Sequence, residues 1–409
     1  MKNIQTTALN RTTLMFPLAL VLFEFAVYIG NDLIQPAMLA ITEDFGVSAT
    51  WAPSSMSFYL LGGASVAWLL GPLSDRLGRK KVLLSGVLFF ALCCFLILLT
   101  RQIEHFLTLR FLQGIGLSVI SGVGYAAIQE NFAECDAIKV MALMANISLL
   151  APLLGPVLGA FLIDYVSWHW GFVAIALLAL LSWVGLKKQM PSHKVSVTKQ
   201  PFSYLFDDFK KVFSNRQFLG LTLALPLVGM PLMLWIALSP IILVDELKLT
   251  SVQYGLAQFP VFLGLIVGNI VLIKIIDRLA LGKTVLIGLP IMLTGTLILI
   301  LGVVWQAYLI PCLLIGMTLI CFGEGISFSV LYRFALMSSE VSKGTVAAAV
   351  SMLLMTSFFA MIELVRYLYT QFHLWAFVLS AFAFIALWFT QPRLALKREM
   401  QERVAQDLH

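Results

Sequence analysis

Twelve stretches of this 409-residue chain are each apolar over about the 20 residues a helix needs to cross a bilayer. They run at 14–39, 52–73, 82–100, 106–129, 137–163, 168–186, 217–244, 251–273, 284–303, 308–332, 344–369 and 373–390. Composition agrees: 60% of residues are apolar and 12% charged, against about 45–50% and about 25% in soluble domains. A mean hydropathy of +0.95 leaves more apolar surface than a soluble fold of this size buries. A disordered chain, a secreted disulfide scaffold and a cytosolic enzyme are excluded. The first run is too long for a secretory leader and carries two acids, so none is expected.

Charge sets the expected orientation. With both termini inside, only Arg101, Lys248 and Arg366 of the 27 Lys and Arg residues fall on the outer side, and Arg110 falls within a span. The rest sit in inner loops and tails, as the positive-inside rule requires. The net charge of +6 is thereby assigned to the membrane surface rather than to nucleic acid. Residues 187–216 hold seven Lys/Arg with Pro191, Ser192 and Pro201. They read as a cytoplasmic linker between two six-helix halves, 1–186 and 217–409. Span two ends at Ser74-Asp75-Arg76-Leu77 and span eight at Ile276-Asp277-Arg278-Leu279, an echo consistent with a six-plus-six repeat. Such repeats commonly hold substrate near the midplane. Cys93, Cys94, Cys135, Cys312 and Cys321 have neither Cys-x-x-Cys spacing nor a histidine cluster, so no metal or redox site is expected.

The two acids of span one stand apart. Glu24 and Asp32 are eight residues apart, which on a helix is about 80° around the axis and about 12 Å along it. They face one side at two depths. A carboxyl at such depth is costly when charged and unpaired, so it carries a proton until something displaces it. A cationic drug can replace that proton; a neutral drug can displace it by changing the solvation of the site. Arg110 inside span four is similarly costly. It is expected either to bond backbone carbonyls of neighbouring helices or to tune a nearby acid. Glu130, at the inner end of span four, is expected to be solvated. Glu363 and Arg366 form an i, i+3 pair. Glu324 lies between Gly323 and Gly325 in span ten.

Several motifs carry a resemblance. The loop after span two reads Gly71-Pro72-Leu73-Ser74-Asp75-Arg76-Leu77-Gly78-Arg79-Lys80-Lys81. Gly71 is expected to let helices approach and Gly78 to make the turn. Span four carries Arg110-Phe111-Leu112-Gln113-Gly114, and span five carries Ala151-Pro152-Leu153-Leu154-Gly155-Pro156-Val157-Leu158-Gly159. Together these resemble the signatures of the major facilitator superfamily, the span-five motif marking its twelve-helix drug/proton antiporters. Phe23-Glu24-Phe25-Ala26-Val27-Tyr28-Ile29-Gly30-Asn31-Asp32 in span one is similar to the MdfA-type branch. The resemblance extends to Tyr125-Ala126-Ala127-Ile128-Gln129-Glu130 and Ala142-Leu143-Met144-Ala145-Asn146.

The resemblance implies an all-α membrane protein of the major facilitator fold, twelve helices in two six-helix bundles with both termini inside. It implies a monomer in the bacterial inner membrane. The expected function is a proton-coupled multidrug efflux antiporter, exporting lipophilic cations and chloramphenicol-like neutral drugs by alternating access. A metabolite exporter or an uptake symporter of the same fold is the alternative. No enzyme activity, metal or cofactor is expected; the proton is the coupling ion, and the partners are drugs, protons and membrane lipid. Glu24 and Asp32 are assigned to proton coupling, either sufficing alone. Asp75 and Arg79 are assigned to an inner latch. Arg110, Gly155, Pro156 and Gly159 are assigned to conformational control, span five packing against the opposite half. The drug pocket is assigned to Glu24, Tyr28, Asn31, Asp32, Met56, Ser148, Leu149, Leu232, Met233 and Ile236. Methionine's adaptability suits a promiscuous wall.

Overall fold

The computed structural model describes residues 14–132, 134–191, 202–275, 278 and 281–390. Every regular element among them is helical. Two compact units form, Met1–Phe202 and Ser203–His409. Among the described residues, ten helices are long and apolar enough to cross a membrane. The predicted span at 137–163 falls within the 32-residue helix Glu134–Tyr165, and that at 373–390 on the 17-residue helix Leu374–Thr390.

In the first unit, α1 runs Met15–Asp32 and α2 Met38–Asp44. One continuous helix over 14–39 was expected. The chain instead turns at residues 33–37. Pro36 has no N–H to continue the ladder and disfavours helical geometry at Gln35. Next come α3 (Ser54–Leu77) and α4 (Arg79–Ile97), joined through Gly78 at φ +95°. That backbone angle strains any residue with a Cβ. α5 (Ile103–Val119) passes through a π-helical turn, Ile120–Gly124, into α6 (Tyr125–Asn131). α7 (Glu134–Tyr165) and α8 (His169–Gln189) complete the unit.

The stretch expected to be only a linker contains a helix, α9 (Phe202–Ser214). Its Phe209 and Val212 are buried while Lys210 and Lys211 are exposed, a helical period that a linker reading passes over. α10 (Arg216–Ser239) is capped by Asn215, whose side-chain oxygen accepts from the N–H groups of Gln217 and Phe218 at 2.9 and 3.2 Å. A second π-helical turn, Pro240–Glu246, extends it. α11 (Ser251–Ile275), α12 (Leu281–Val304), α13 (Leu309–Met337), α14 (Lys343–Phe372) and α15 (Leu374–Thr390) follow.

The two units repeat a packing device. α3 approaches α5 so closely that a Cβ on Gly62 would overlap the Phe111 carbonyl oxygen. α11 approaches α13 the same way, a Cβ on Gly268 overlapping the Phe322 carbonyl. Second and fourth spans of each half therefore meet backbone to backbone through small residues. This pairing gives the six-plus-six echo structural content. Ile276, Asp277 and Leu279, which carried it in sequence, lie outside the described residues.

Candidate functional site

Packing against α1 brings the polar face of span one to three partners. Glu24 is fully buried and accepts from the Tyr125 hydroxyl of α6 at 2.8 Å. Asp32, 6% exposed, accepts from Asn31 Nδ2 at 3.1 Å. Asn31 Oδ1 in turn accepts from Arg110 Nη2 at 3.0 Å. The guanidinium of Arg110 is fully buried and donates also to the Gly30 carbonyl at 3.2 Å, Gln113 Oε1 at 2.8 Å and Ser55 Oγ at 2.9 Å. It lies 4.5 Å from the Tyr59 ring centroid, and the Tyr59 hydroxyl donates to the Val27 carbonyl at 2.8 Å. The charge of Arg110 thus reaches Asp32 through Asn31 and is at the same time anchored to backbone. The backbone bond expected of Arg110 is present, to the Gly30 carbonyl. A planar donor fork serves such a site where an ammonium does not. Met56 is buried beside Ser55, and Tyr28 is half-buried.

α7 presses directly on the Asp32 end of α1. A Cβ on Gly155 would stand 2.6 Å from Asp32 Cβ, and one on Gly159 would overlap the Leu33 carbonyl oxygen. These two glycines therefore face α1 of their own unit. The small-residue stripe of α7 sets the depth at which Asp32 is held, and Pro156, buried between the two glycines, is accommodated within the helix. Gly159→Val is expected to lower stability by about 1–3 kcal/mol, read as a lower melting temperature of the detergent-solubilised protein. Gly71 behaves oppositely: expected at a close helix contact, its Cβ would meet nothing within 4 Å. Gly71→Ala is the matching control and is expected to melt as the wild type. Ser148 and Leu149 lie on α7, but their side chains lie outside the described residues.

At the opposite end of these helices a second cluster forms. Arg79 pairs with Asp75 of its own loop, with Glu130 at 2.8 Å, and with Ser74, and it donates to the Gly71 carbonyl at 3.2 Å. Glu130, expected to be simply solvated, is 46% exposed and joined to Arg79. The Asp75–Arg79 motif is thus tied to the end of α6. Lys80 donates to the Met190 carbonyl at 2.6 Å, fixing the end of α8 to the start of α4. A pair this exposed is worth about 1 kcal/mol or less. Glu130→Gln is therefore expected to keep its fold, with a melting temperature near that of the wild type.

In the second unit, Leu232 and Ile236 of α10 are buried and Met233 is half-buried. On the same helix, Trp235 Nε1 donates to Gln258 Oε1 at 2.8 Å, and Ser239 lies 3.3 Å from the Tyr254 hydroxyl. Glu324 of α13 is 6% exposed, its Oε1 standing 3.5 Å from the Cβ position of Gly229, with Phe328 and Phe358 close by. Its Oε2 has no hydrogen-bond partner among the described residues. Glu363 and Arg366 pair at 2.8 Å. Among the described residues no three His, Cys, Asp or Glu side chains group as metal ligands. The side chain of Cys135 lies outside the described residues.

Sequence reasoning missed Tyr125, Ser55 and Tyr59 as partners. Tyr125 stood within a quoted motif, and its position in span four was the available signal. Ser55 and Tyr59 gave none, because their value lies in which helix α3 faces.

The family model described as Major Facilitator Superfamily matches residues 20–362. The protein named Multidrug transporter MdfA from Yersinia pestis bv. Antiqua (strain Angola) is 44% identical over 364 residues, 89% of each chain. The protein of that name from Escherichia coli O6:H1 is 45% identical over 361 residues, 88% of each chain. Among solved structures, a D-xylose-proton symporter superposes with a TM-score of 0.72 at 17% identity, covering 93% of this chain and 97% of that one. The human organic anion transporter MFSD10 superposes with a TM-score of 0.67 at 18% identity, covering 95% and 100%. These last two share the fold alone.

Proposed function

Because the chain belongs to the Major Facilitator Superfamily, as an MdfA-type multi-pass transporter of the bacterial inner membrane, we propose that it exports drugs in exchange for protons. Its substrates are lipophilic cations and neutral, chloramphenicol-like molecules. The observation that carries the reading is the pair of buried carboxyls on one face of α1, Glu24 and Asp32, each held by a named polar partner. Both can exist as neutral acids, and both sit on a helix whose far end is braced by α7.

The cycle is alternating access. In the form open to the cytoplasm, a drug meets the polar face of Tyr28, Asn31 and Asp32. A cation replaces the proton of a carboxyl by charge; a neutral drug expels it by altering the surroundings in which that carboxyl was protonated. The proton leaves, the carrier turns over, and the drug departs on the other side as a carboxyl takes up a new proton. Arg110 holds Asn31, and through it Asp32, in one geometry. A drug that disturbs the Asn31 link thereby changes what Asp32 feels. Glu324 offers a further buried carboxyl in the second unit, and Leu232, Met233 and Ile236 serve as apolar wall. Asp75, Arg79 and Glu130 brace the inner ends of α3, α4 and α6 as one body. The Gly155-Pro156-Gly159 stripe is the feature that favours export over uptake by a symporter.

The test is direct. Detergent-solubilised protein in weakly buffered medium is expected to release protons when tetraphenylphosphonium or chloramphenicol is added. Asp32→Asn removes part of that release, and the double variant with Glu24→Gln removes it all. Saturable drug binding with no proton release would contradict the exchange.

A further inference from the structure

A polar residue follows α1: Gln35 lies three residues past Asp32, in the turn at 33–37. The backbone keeps helical angles at Leu33, whose N–H donates to the Ile29 carbonyl at 2.8 Å. Gln35 closes the next turn, its carbonyl accepting from the Met38 N–H at 3.2 Å. Glu24, Asn31 and Asp32 each have a polar partner nearby. Gln35 differs: its side chain is 1% exposed, and neither Nε2 nor Oε1 has a hydrogen-bond partner among the described residues. No other side chain described leaves two buried polar atoms unmet.

An unmet buried amide is unfavourable, and an apolar side chain of the same size avoids the penalty altogether. A group placed at such a cost, three residues from Asp32 in the span already assigned to substrate, gains its partners when substrate arrives. A primary amide supplies two N–H donors and a carbonyl acceptor in one plane. Its complement is an uncharged molecule carrying an amide, hydroxyl or nitro group. A lipophilic cation such as tetraphenylphosphonium has neither donor nor acceptor and engages the carboxyls instead.

We infer that Gln35 is a specificity-determining residue for neutral, hydrogen-bonding substrates: its Nε2 donates to, and its Oε1 accepts from, the polar groups of such a drug. This rests on the proposed drug export. A site built to hydrogen-bond its ligand discriminates strongly when the match is lost, because buried polar groups are then left unpaired.

The experiment compares wild type with Gln35→Leu in energised inverted vesicles, using chloramphenicol and tetraphenylphosphonium as separate substrates. The expected result is a loss of chloramphenicol accumulation of about tenfold or more through a raised KM, with tetraphenylphosphonium within about twofold of wild type. The variant also melts at or above the wild-type temperature, since two unmet groups are gone. Equal loss of both substrates, or a lower melting temperature with both impaired, would overturn the assignment and make Gln35 structural. Wild-type transport of both would overturn it as well. Gln35→Met, flexible and of similar length, repeats the comparison should leucine not fold. The selectivity ratio is read from drug alone, so a wild type that accumulates both drugs without moving protons would contradict the exchange while leaving the Gln35 result intact.

Discussion

Replacing Glu24 by Gln and Asp32 by Asn together is expected to end uphill drug export, while either replacement alone leaves part of it. One proton moved through 100 mV supplies about 2.3 kcal/mol, which sustains about a fiftyfold concentration ratio of a neutral drug. In vesicles given labelled chloramphenicol, the double variant should therefore fall from a ratio of that order to about one. The single variants keep a buried carboxyl on the same face of α1, so a proton can still be exchanged at the other depth. Asp32 and Glu24 have separate partners, Asn31 and Tyr125, so losing one acid does not dismantle the surroundings of the other. The double variant should also fold, because two buried carboxyls become amides of nearly equal shape. Retained concentrative export by a folded double variant would remove α1 from the coupling mechanism.

The second large effect concerns Arg110. Arg110→Ala leaves Ser55, Gln113, Asn31 and the Gly30 carbonyl without the donor that joins them, at a fully buried position. Each buried polar group left unmet costs about 1–3 kcal/mol, and the vacated volume adds to that. The melting temperature in detergent should drop by many degrees, and transport should vanish with it. Arg110→Lys separates charge from geometry. It keeps one positive charge but cannot serve four acceptors on three helices. The expected outcome is a protein that folds, melts lower than wild type, and has lost most transport of cations and neutral drugs alike. Wild-type transport by Arg110→Lys would mean that charge alone matters and that the Asn31 link is incidental.

The fold was legible in sequence because lipid imposes a coarse and unmistakable pattern. Twelve apolar runs, the basic loop after span two and the span-five stripe all have direct physical causes. That Glu24, Asp32 and Arg110 would need polar partners was legible for a related reason: an acid or an arginine inside hydrocarbon is costly when unpaired. Which helix each one meets was not legible. A face turned to lipid and a face turned to another helix are equally apolar, so periodicity does not distinguish them. Ser55, 55 residues from Arg110 in the chain, gave no sign of being its partner. For the same reason the contact of Gly155 and Gly159 with α1 gave no sign in the sequence. The break at Pro36 was a local signal outweighed by the long apolar run around it. Glu130 illustrates a charge whose partner, Arg79, comes from another loop 51 residues away.

The central claim is that drug movement and proton movement are one event at α1. It is tested most directly by adding chloramphenicol to energised inverted vesicles and following lumenal pH, with wild type beside the Glu24→Gln, Asp32→Asn double variant. The account predicts that the acidic lumen turns more alkaline on drug addition in wild type and stays unchanged in the double variant. Drug-dependent alkalinisation of equal size in both, or drug accumulation by wild type with no change in lumenal pH, would contradict it.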